Sequence, residues 1–196
     1  MDAVIADPLI LSVDLDGVLV NFRAGFCQLA QAQLGVAIPE EATTWDWYRP
    51  FLTADHAQTL FAYVRITPGF WAGLPEEPDA DAAASLGRLS KAAQTGHVVY
   101  FMTQRPKTAW QATVRWLRAC GWTFGTPMVL LVGEEGKGSV CDGLDVTHAI
   151  DDRIEHLQSI AETGAAVACV TRPYNVGFEW PYRVDHLPQW LDDLGL

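Results

Sequence analysis

The sequence predicts an α/β protein: a three-layer, Rossmann-like parallel sheet with a small helical domain inserted after its first strand. Short apolar segments alternate with segments of helical periodicity over most of the 196 residues. This alternation is typical of parallel strands that are joined by right-handed helical crossovers. Residues 21–76 interrupt it, because they contain helical patterns and no convincing strand. We therefore expect a core of residues 1–20 and 77–196 and an inserted domain of residues 21–76.

The first predicted strand, Leu9–Val13, is apolar except for Ser12, as expected for a strand that is buried on both faces. It is followed by Asp14, Asp16 and Gly17. Open α/β sheets bind ligands at the carboxyl ends of their strands. Two carboxylates in a small space there repel each other unless a cation or a proton offsets their charge. The segment is either a polar turn that closes a strand or a metal site with a reactive acid.

Two helices are predicted in the inserted domain. Apolar residues recur at helical spacing from Asn21 to Leu34, and Gly35 then ends the pattern. The same spacing recurs over residues 55–65. Residues 36–50 between them are irregular and rich in aromatic side chains, and residues 67–71 are expected to form a turn because they contain Pro-Gly.

The later elements alternate regularly. Four more strands are expected at His97–Met102, Pro127–Val132, Val146–Ile150 and Ala165–Val170. Helices are expected at Asp79–Gln94, Lys107–Cys120, Ile154–Glu162 and Pro188–Leu194. Strands that alternate with helices in this way form one parallel sheet.

Polar residues that follow the later strands point to a common site. Thr103 ends the second strand, and Asp151 and Asp152 end the fourth. Lys137 lies between the third and fourth strands. Each has an ordinary structural explanation on its own, such as a turn or a helix cap. Because parallel strands end at one edge of the sheet, we expect all four to converge on the two acids of the first strand.

Composition limits the partners. The net charge of −11, from 13 basic and 24 acidic side chains, argues against binding polymeric nucleic acid through its phosphates. No basic leader and no apolar run of membrane-spanning length is present in the sequence, so no membrane partner is expected. The four cysteines are far apart and form no CxxC pair, which is typical of reduced thiols. We expect a cytoplasmic protein that acts on a small molecule.

The strand-end residues form a series along the chain: Asp14-Leu15-Asp16-Gly17-Val18, then Thr103, Lys137 and Asp151-Asp152. This series resembles the four motifs of the haloacid dehalogenase (HAD) superfamily of phosphotransferases. The helical insertion resembles the small cap domain of that superfamily. Three further segments resemble the 5′(3′)-deoxyribonucleotidase family: Asp16–Phe22, Pro68–Trp71 and Pro173–Asn175.

The resemblance implies an HAD-like fold and phosphate-monoester hydrolysis through an aspartyl-phosphate. Asp14 would be the nucleophile, and Asp16 would protonate the leaving oxygen and later deprotonate the attacking water. Thr103 would hydrogen-bond a phosphoryl oxygen, and Lys137 would balance the negative charge.

The resemblance also implies a bound Mg²⁺ ion. Asp14, the carbonyl oxygen of Asp16 and the pair Asp151–Asp152 would hold it, with Asp152 as the direct ligand of that pair and Asp151 nearby or acting through water. An anionic nucleophile cannot easily approach a dianionic phosphate unless a cation neutralises both.

The expected substrate is a nucleoside monophosphate, because aromatic residues are concentrated in the predicted cap. Phe70, Trp71 and Trp45 are candidates for stacking on a base, although a small helical domain also needs large side chains for its own core. Gln104 and Arg105 are further substrate-binding candidates, the latter for a phosphate. Sugar phosphates or other small metabolites are the alternative substrates, and a non-catalytic phosphate-binding protein is the third hypothesis. The oligomeric state is open, with a homodimer as one expectation.

Overall fold

The computed structural model describes residues 7–39, 43–133 and 136–196. Residues 40–42, within the segment expected to be irregular, and residues 1–6 of the predicted core lie outside these ranges. The centre of the protein is a six-stranded sheet in the order β3-β2-β1-β4-β5-β6, and every pairing between neighbouring strands is parallel. Its strands are β1 Ile10–Val13, β2 Val98–Thr103, β3 Met128–Leu131, β4 His148–Asp151, β5 Ala166–Val170 and β6 Arg183–Val184.

Helices connect these strands. They are α1 Phe22–Leu34, α2 Ala54–Ile66, α3 Pro68–Ala72, α4 Ala82–Gln94, α5 Trp110–Ala119, α6 Gly136–Gly143, α7 Ile154–Ala161 and α8 Leu187–Asp193, with a single 3-10 turn at Lys107–Ala109 before α5. The elements that the sequence predicts are present with bounds that differ by at most three residues. The predicted Rossmann-like α/β fold is therefore confirmed. Among the helices of the described ranges, none has both the length and the hydropathy that crossing a bilayer requires.

Successive residues of the strands enter two different apolar clusters. Val99 and Phe101 of β2 pack in one cluster with side chains of α4, α5 and α8. Tyr100 and Met102, which alternate with them, pack in a second cluster with side chains of α6 and α7. Because successive side chains of a strand point to opposite faces, both faces of the sheet are covered, and the molecule has three layers.

Helices α1, α2 and α3 lie between β1 and α4 in the chain and pack in the first of these clusters. The chain leaves and rejoins the sheet at one place, where Val20 and Glu76 form an antiparallel bridge. The backbone N–H of Glu77 donates to the carbonyl oxygen of Leu19 at 2.9 Å. The two ends of the insertion are thus adjacent, while its division into a separate domain at residues 21–76 stays a prediction.

One local expectation was wrong. The segment expected to be a turn is helix α3, because Pro68 occupies the first helical position, where its fixed φ and missing N–H are tolerated. Lys137 lies between β3 and β4, as expected, and within helix α6, which was not predicted. That helix packs closely on α7, where a Cβ on Gly138 would collide with the carbonyl oxygen of Ser159. The two-residue strand β6 has no sequence signal of its own.

Candidate active site

The carboxyl ends of β1, β2 and β4 open on a cavity of about 300 Å³. Strand β1 pairs with β2 on one side and with β4 on the other, which brings together the residues that follow these three strands. The predicted residues that line the cavity are Asp14, Asp16, Thr103, Gln104, Arg105, Asp152, Trp45 and Trp71. Lys137 bonds Asp14 of this set and also bonds Asp151, and both Lys137 and Asp151 are buried, each 1% exposed.

Lys137 joins two of the acids. Its Nζ donates to Asp14 Oδ1 at 2.5 Å and to Asp151 Oδ2 at 2.6 Å. Burial alone lowers the pKa of Lys137, but the two carboxylates raise it further than burial lowers it. Burial raises the pKa of Asp151, but Lys137 and His156 lower it by more, so that it lies below its usual range. Lys137 is therefore protonated and Asp151 ionised.

Asp14 has a different balance. Burial raises its pKa to about 6, Lys137 opposes that rise, and the nearby charges of Asp151 and Asp16 add to it. Its Oδ1 accepts from Lys137, and its backbone N–H donates to the carbonyl oxygen of Ile150 at 3.1 Å. The carboxylate is consequently held in one place at the cavity floor.

Asp152 completes the acidic group. Burial, followed by the charges of Asp14 and Asp151, raises the pKa of Asp152 well above its usual value. The hydroxyl of Tyr174 donates to Asp152 Oδ2, and Asn175 Nδ2 donates to the Asp152 carbonyl oxygen at 2.7 Å. One carboxylate oxygen from each of the three acids lies within 4.8 Å of the others.

Gly17 allows this close packing. Its φ of +90° is in the left-handed region, and a Cβ there would overlap Asp152 Oδ2 and the Tyr174 hydroxyl. Arg172, which is buried, fixes the same turn by donating from Nε to the Gly17 carbonyl oxygen at 2.7 Å. No sequence pattern identified Arg172 as part of the site.

Asp16 is held by Arg105. The Nη2 and Nε atoms of Arg105 donate to the two carboxylate oxygens of Asp16 at 2.6 and 2.8 Å. Its Nη1 donates to Thr113 Oγ1 at 3.0 Å, and its guanidinium lies 4.9 Å from the ring centroid of Trp71. Thr103 Oγ1 lies 3.5 Å from Asp16 Oδ2. Arg105, a predicted phosphate ligand, thus contacts the second acid of the first motif.

The cavity wall consists largely of rings. It includes a group that we call the aromatic wall: Phe22, Trp47, Tyr48, Phe61 and Trp71. Trp71 is 5% exposed and stacks on Phe22 with ring centroids 5.7 Å apart. Its Nε1 donates to the carbonyl oxygen of Val64 at 2.9 Å. Trp71 therefore contributes both to the wall and to the packing of the insertion.

Of the other two predicted aromatic residues, one lines the cavity and the other does not. Trp45 lines the cavity and is 51% exposed; the guanidinium of Arg153 lies 5.0 Å from its ring centroid. Phe70 does not line the cavity. It packs edge-on against Phe22 and Trp71 and lines a separate, shallow surface depression. Gln104 is exposed at the rim and accepts from Arg153 Nη1 at 3.1 Å.

Some cavity residues escaped the sequence analysis. Tyr174 lies in the segment Pro173–Asn175, which resembles the 5′(3′)-deoxyribonucleotidase family, but the sequence does not predict its contact with Asp152. Glu77 and Arg23 also line the cavity. Glu77 is 4% exposed, and burial raises its pKa, an effect that Arg172 and Arg23 oppose. Glu77 is an acidic residue followed by Pro78, and nothing in this part of the sequence predicts its burial.

Solved structures with a similar fold are HAD-type hydrolases. A haloacid dehalogenase-like family hydrolase from Streptococcus pneumoniae has a TM-score of 0.63 and 16% identity over 95% of this chain and 98% of that chain. A HAD family hydrolase from Deinococcus radiodurans R1, with bound phosphate and sodium, also has a TM-score of 0.63 and 16% identity, over 97% of this chain and 96% of that chain. A predicted phosphoglycolate phosphatase from Haemophilus somnus 129pt has a TM-score of 0.60 and 15% identity over 97% and 99%.

Fold and sequence together define a hydrolase of the HAD superfamily, and within it a nucleotidase-like phosphatase. Residues 8–194 match the model of the family described as 5′ nucleotidase, deoxy (Pyrimidine), cytosolic type C protein. Because this match covers nearly the whole chain, the chain belongs to that family. The sequence has no significant match among curated proteins. The predicted superfamily and class of enzyme are confirmed.

Proposed function

We propose that the protein is a Mg²⁺-dependent phosphatase that hydrolyses deoxyribonucleoside or ribonucleoside monophosphates through an aspartyl-phosphate. Phosphate-monoester hydrolysis follows from the family; the metal, the nucleotide substrate and the residue roles are the proposal. The observation that carries it is one cavity with an aromatic wall and a floor formed by Asp14 and Asp152, which lie over the buried Lys137 and Asp151. We call these four residues the acid floor.

The acid floor fits a divalent cation. Three buried carboxylates cluster there, and Lys137 offsets only part of their charge. Carboxylate and carbonyl oxygens are the ligands that Mg²⁺ prefers. Both oxygens of Asp151 already accept hydrogen bonds, from Lys137 and from the backbone N–H of Arg153, which supports Asp152 as the direct ligand beside Asp14.

When bound, Mg²⁺ would neutralise charge on the phosphate and on the attacking carboxylate. The remaining ligand would be the carbonyl oxygen of Asp16, as the family resemblance implies. Asp151 would then act through Lys137, whose ammonium it holds in position beside Asp14.

The protein's own residues supply the acid and the nucleophile. A carboxylate oxygen of Asp14 attacks phosphorus, and the bond from phosphorus to the leaving oxygen breaks. Asp16 gives a proton to that oxygen and afterwards takes one from the water that hydrolyses the aspartyl-phosphate. Arg105 orients the Asp16 carboxylate through two hydrogen bonds, and Thr103 donates to a phosphoryl oxygen.

The aromatic wall supports a nucleotide substrate, because bases stack on flat rings without regard to their exact atoms. Trp45 at the rim and Trp71 in the wall stay the predicted base-binding residues. Gln104 stays a predicted substrate-binding residue at the rim, and Arg105 is now assigned to Asp16. The cavity position of Phe22, Trp47 and Tyr48 adds them to the candidates.

A substrate screen tests this proposal. Initial rates would be measured with Mg²⁺ for deoxyribonucleotides, ribonucleotides, sugar phosphates and p-nitrophenyl phosphate. We expect kcat/KM to be highest for nucleoside monophosphates. A higher value for sugar phosphates would overturn the nucleotide assignment and favour the metabolite-phosphatase alternative.

Chelation tests the metal. We expect EDTA to abolish turnover of every substrate and Mg²⁺ to restore it, while Ca²⁺ restores little because its looser, higher coordination misplaces the reacting groups. Full activity after chelation and gel filtration would contradict the proposed metal site.

The cytoplasmic location is also part of the proposal, and the family description, which names a cytosolic type, supports it. A small phosphorylated molecule as partner is consistent with the family. The homodimer stays a prediction.

A further inference from the structure

We propose that Glu77 and Arg23 form a recognition site for a hydroxyl group on the leaving group of the substrate, which in a nucleotide is a sugar hydroxyl. The inference rests on the proposed function and adds a polar contact that the aromatic wall cannot supply. Both side chains line the cavity that holds the acid floor.

Glu77 is buried and has one carboxylate oxygen left unpaired among the described residues. It is 4% exposed, and no described residue donates a hydrogen bond to its Oε1. Its backbone is fixed, because its N–H donates to the carbonyl oxygen of Leu19 beside the catalytic loop. Buried polar side-chain atoms are nearly always paired, so an unpaired oxygen on a residue that lines the cavity indicates a ligand group that completes it.

Arg23 supplies the complementary donor. Its Nη1 is buried and has no hydrogen-bond partner among the described residues. Its guanidinium lies 4.9 Å from the ring centroid of Tyr174, the residue whose hydroxyl donates to Asp152. The charge of Arg23 acts on Glu77, yet no ion pair within 4.0 Å joins these two described residues. A residue that can accept and a residue that can donate therefore line one cavity without bonding to each other.

A hydroxyl suits this pair. The guanidinium can only donate and an ionised carboxylate can only accept, whereas one hydroxyl oxygen can do both. A second phosphate or a carboxylate on the ligand would be repelled by Glu77, and an ammonium by Arg23. The backbone of Glu77 bonds Leu19, three residues after Asp16, and Glu77 and Asp16 line the same cavity. Because Asp16 is the acid beside the leaving oxygen, we place the pair next to the part of the substrate that carries this oxygen, which in a nucleotide is the sugar and not the base.

The test compares matched substrates in matched variants. kcat/KM would be measured for a nucleoside 5′-monophosphate and its 2′-deoxy and 2′,3′-dideoxy forms, all with one base. We expect the wild type to prefer the better hydroxylated forms over the dideoxy form by roughly 10- to 100-fold, the effect of one hydrogen bond to a charged group. Glu77→Gln, and separately Arg23→Gln, should remove most of this preference, so that the ratio of kcat/KM between hydroxylated and dideoxy forms falls toward 1.

Glu76→Gln is the control variant. It makes the same change of charge one residue away, but Glu76 is outside the cavity lining and its Oε2 caps α4 by accepting from the Ala82 N–H at 3.1 Å. We expect Glu76→Gln to keep the wild-type preference. Melting temperatures of all variants show whether they fold.

Three results would overturn the proposal. Glu77→Gln could leave the hydroxyl preference unchanged. It could lower turnover of every substrate equally, p-nitrophenyl phosphate included, which indicates a structural role. It could alter preference among bases on one sugar, which assigns the pair to the base.

Failure of the nucleotidase function is a separate outcome. A wild type that hydrolyses small phosphates but no nucleotide would refute the proposed substrate. The hydroxyl site would then be tested with glycerol 3-phosphate against propyl phosphate, which differ in their hydroxyls, in the same variants.

Discussion

The acid floor and the aromatic wall enclose the same cavity, but they are held together by different forces. In the floor, Lys137 bonds Asp14 and Asp151 at 2.5 and 2.6 Å, so a small displacement costs electrostatic energy steeply. In the wall, ring centroids such as those of Phe22 and Trp71 lie 5.7 Å apart, and dispersion contacts of this kind vary gently with position. The floor is therefore suited to determine the reaction, and the wall to determine the substrate.

Asp14→Asn tests the floor and should have the largest effect. An amide cannot form the acyl phosphate, so we expect kcat for every substrate to fall at least about 1,000-fold. Because the wall is unchanged, a nucleotide should still raise the melting temperature of the variant. Near-wild-type turnover by folded protein, checked by circular dichroism, would refute Asp14 as the nucleophile.

Lys137→Met measures how much the floor contributes to stability. It leaves two buried carboxylates without their ammonium, and breaking such a pair lowers the free energy of unfolding by about 3–5 kcal/mol. Urea denaturation of the metal-free protein measures this.

Glu155→Gln is the comparison for that variant, since it removes an exposed ion pair with Arg153 and should cost less than about 1 kcal/mol. Similar losses in the two variants would show that the buried pair contributes no more than a surface pair.

Arg105→Lys tests the junction between floor and wall, where one guanidinium contacts both Asp16 and Trp71. Lysine keeps the charge but cannot make two parallel hydrogen bonds. We expect kcat to fall roughly 10- to 100-fold through misplacement of Asp16, with little change in KM. If KM rises and kcat does not change, Arg105 binds the substrate directly, as the sequence alone suggested.

Trp45→Ala and Phe70→Ala compare an aromatic residue at the cavity rim with one outside the cavity, and they should have the smallest effect on chemistry. Trp45 lines the cavity and Phe70 does not. Loss of stacking on Trp45 should lower kcat/KM for nucleotides by about 1–3 kcal/mol and leave p-nitrophenyl phosphate nearly unchanged. Phe70→Ala should lower the melting temperature without changing the ratio of the two activities. The opposite pattern would show that Phe70 contacts the base and Trp45 does not.

Much of the fold and the acid floor could be predicted from the order of residues along the chain. Asp14, Thr103 and Asp152 each follow a predicted strand, and parallel strands end at one edge of a sheet whatever their separation in sequence. Lys137 was predicted for the site but not its helix, because the glycines on both sides of it obscure a helical pattern.

The order of elements along the chain therefore predicts which backbone positions come together, whereas the directions of their side chains are set by packing in the folded protein. Phe70 and Trp71 are neighbours in α3, and consecutive residues of a helix point about 100° apart, so only one of them reaches the cavity. Arg105 contacts Asp16, and Glu77 and Arg23 line the same cavity. These positions result from helix packing and rotamers, which sequence spacing does not encode. Strand order depends on local patterns, whereas side-chain direction depends on every element packed around the residue.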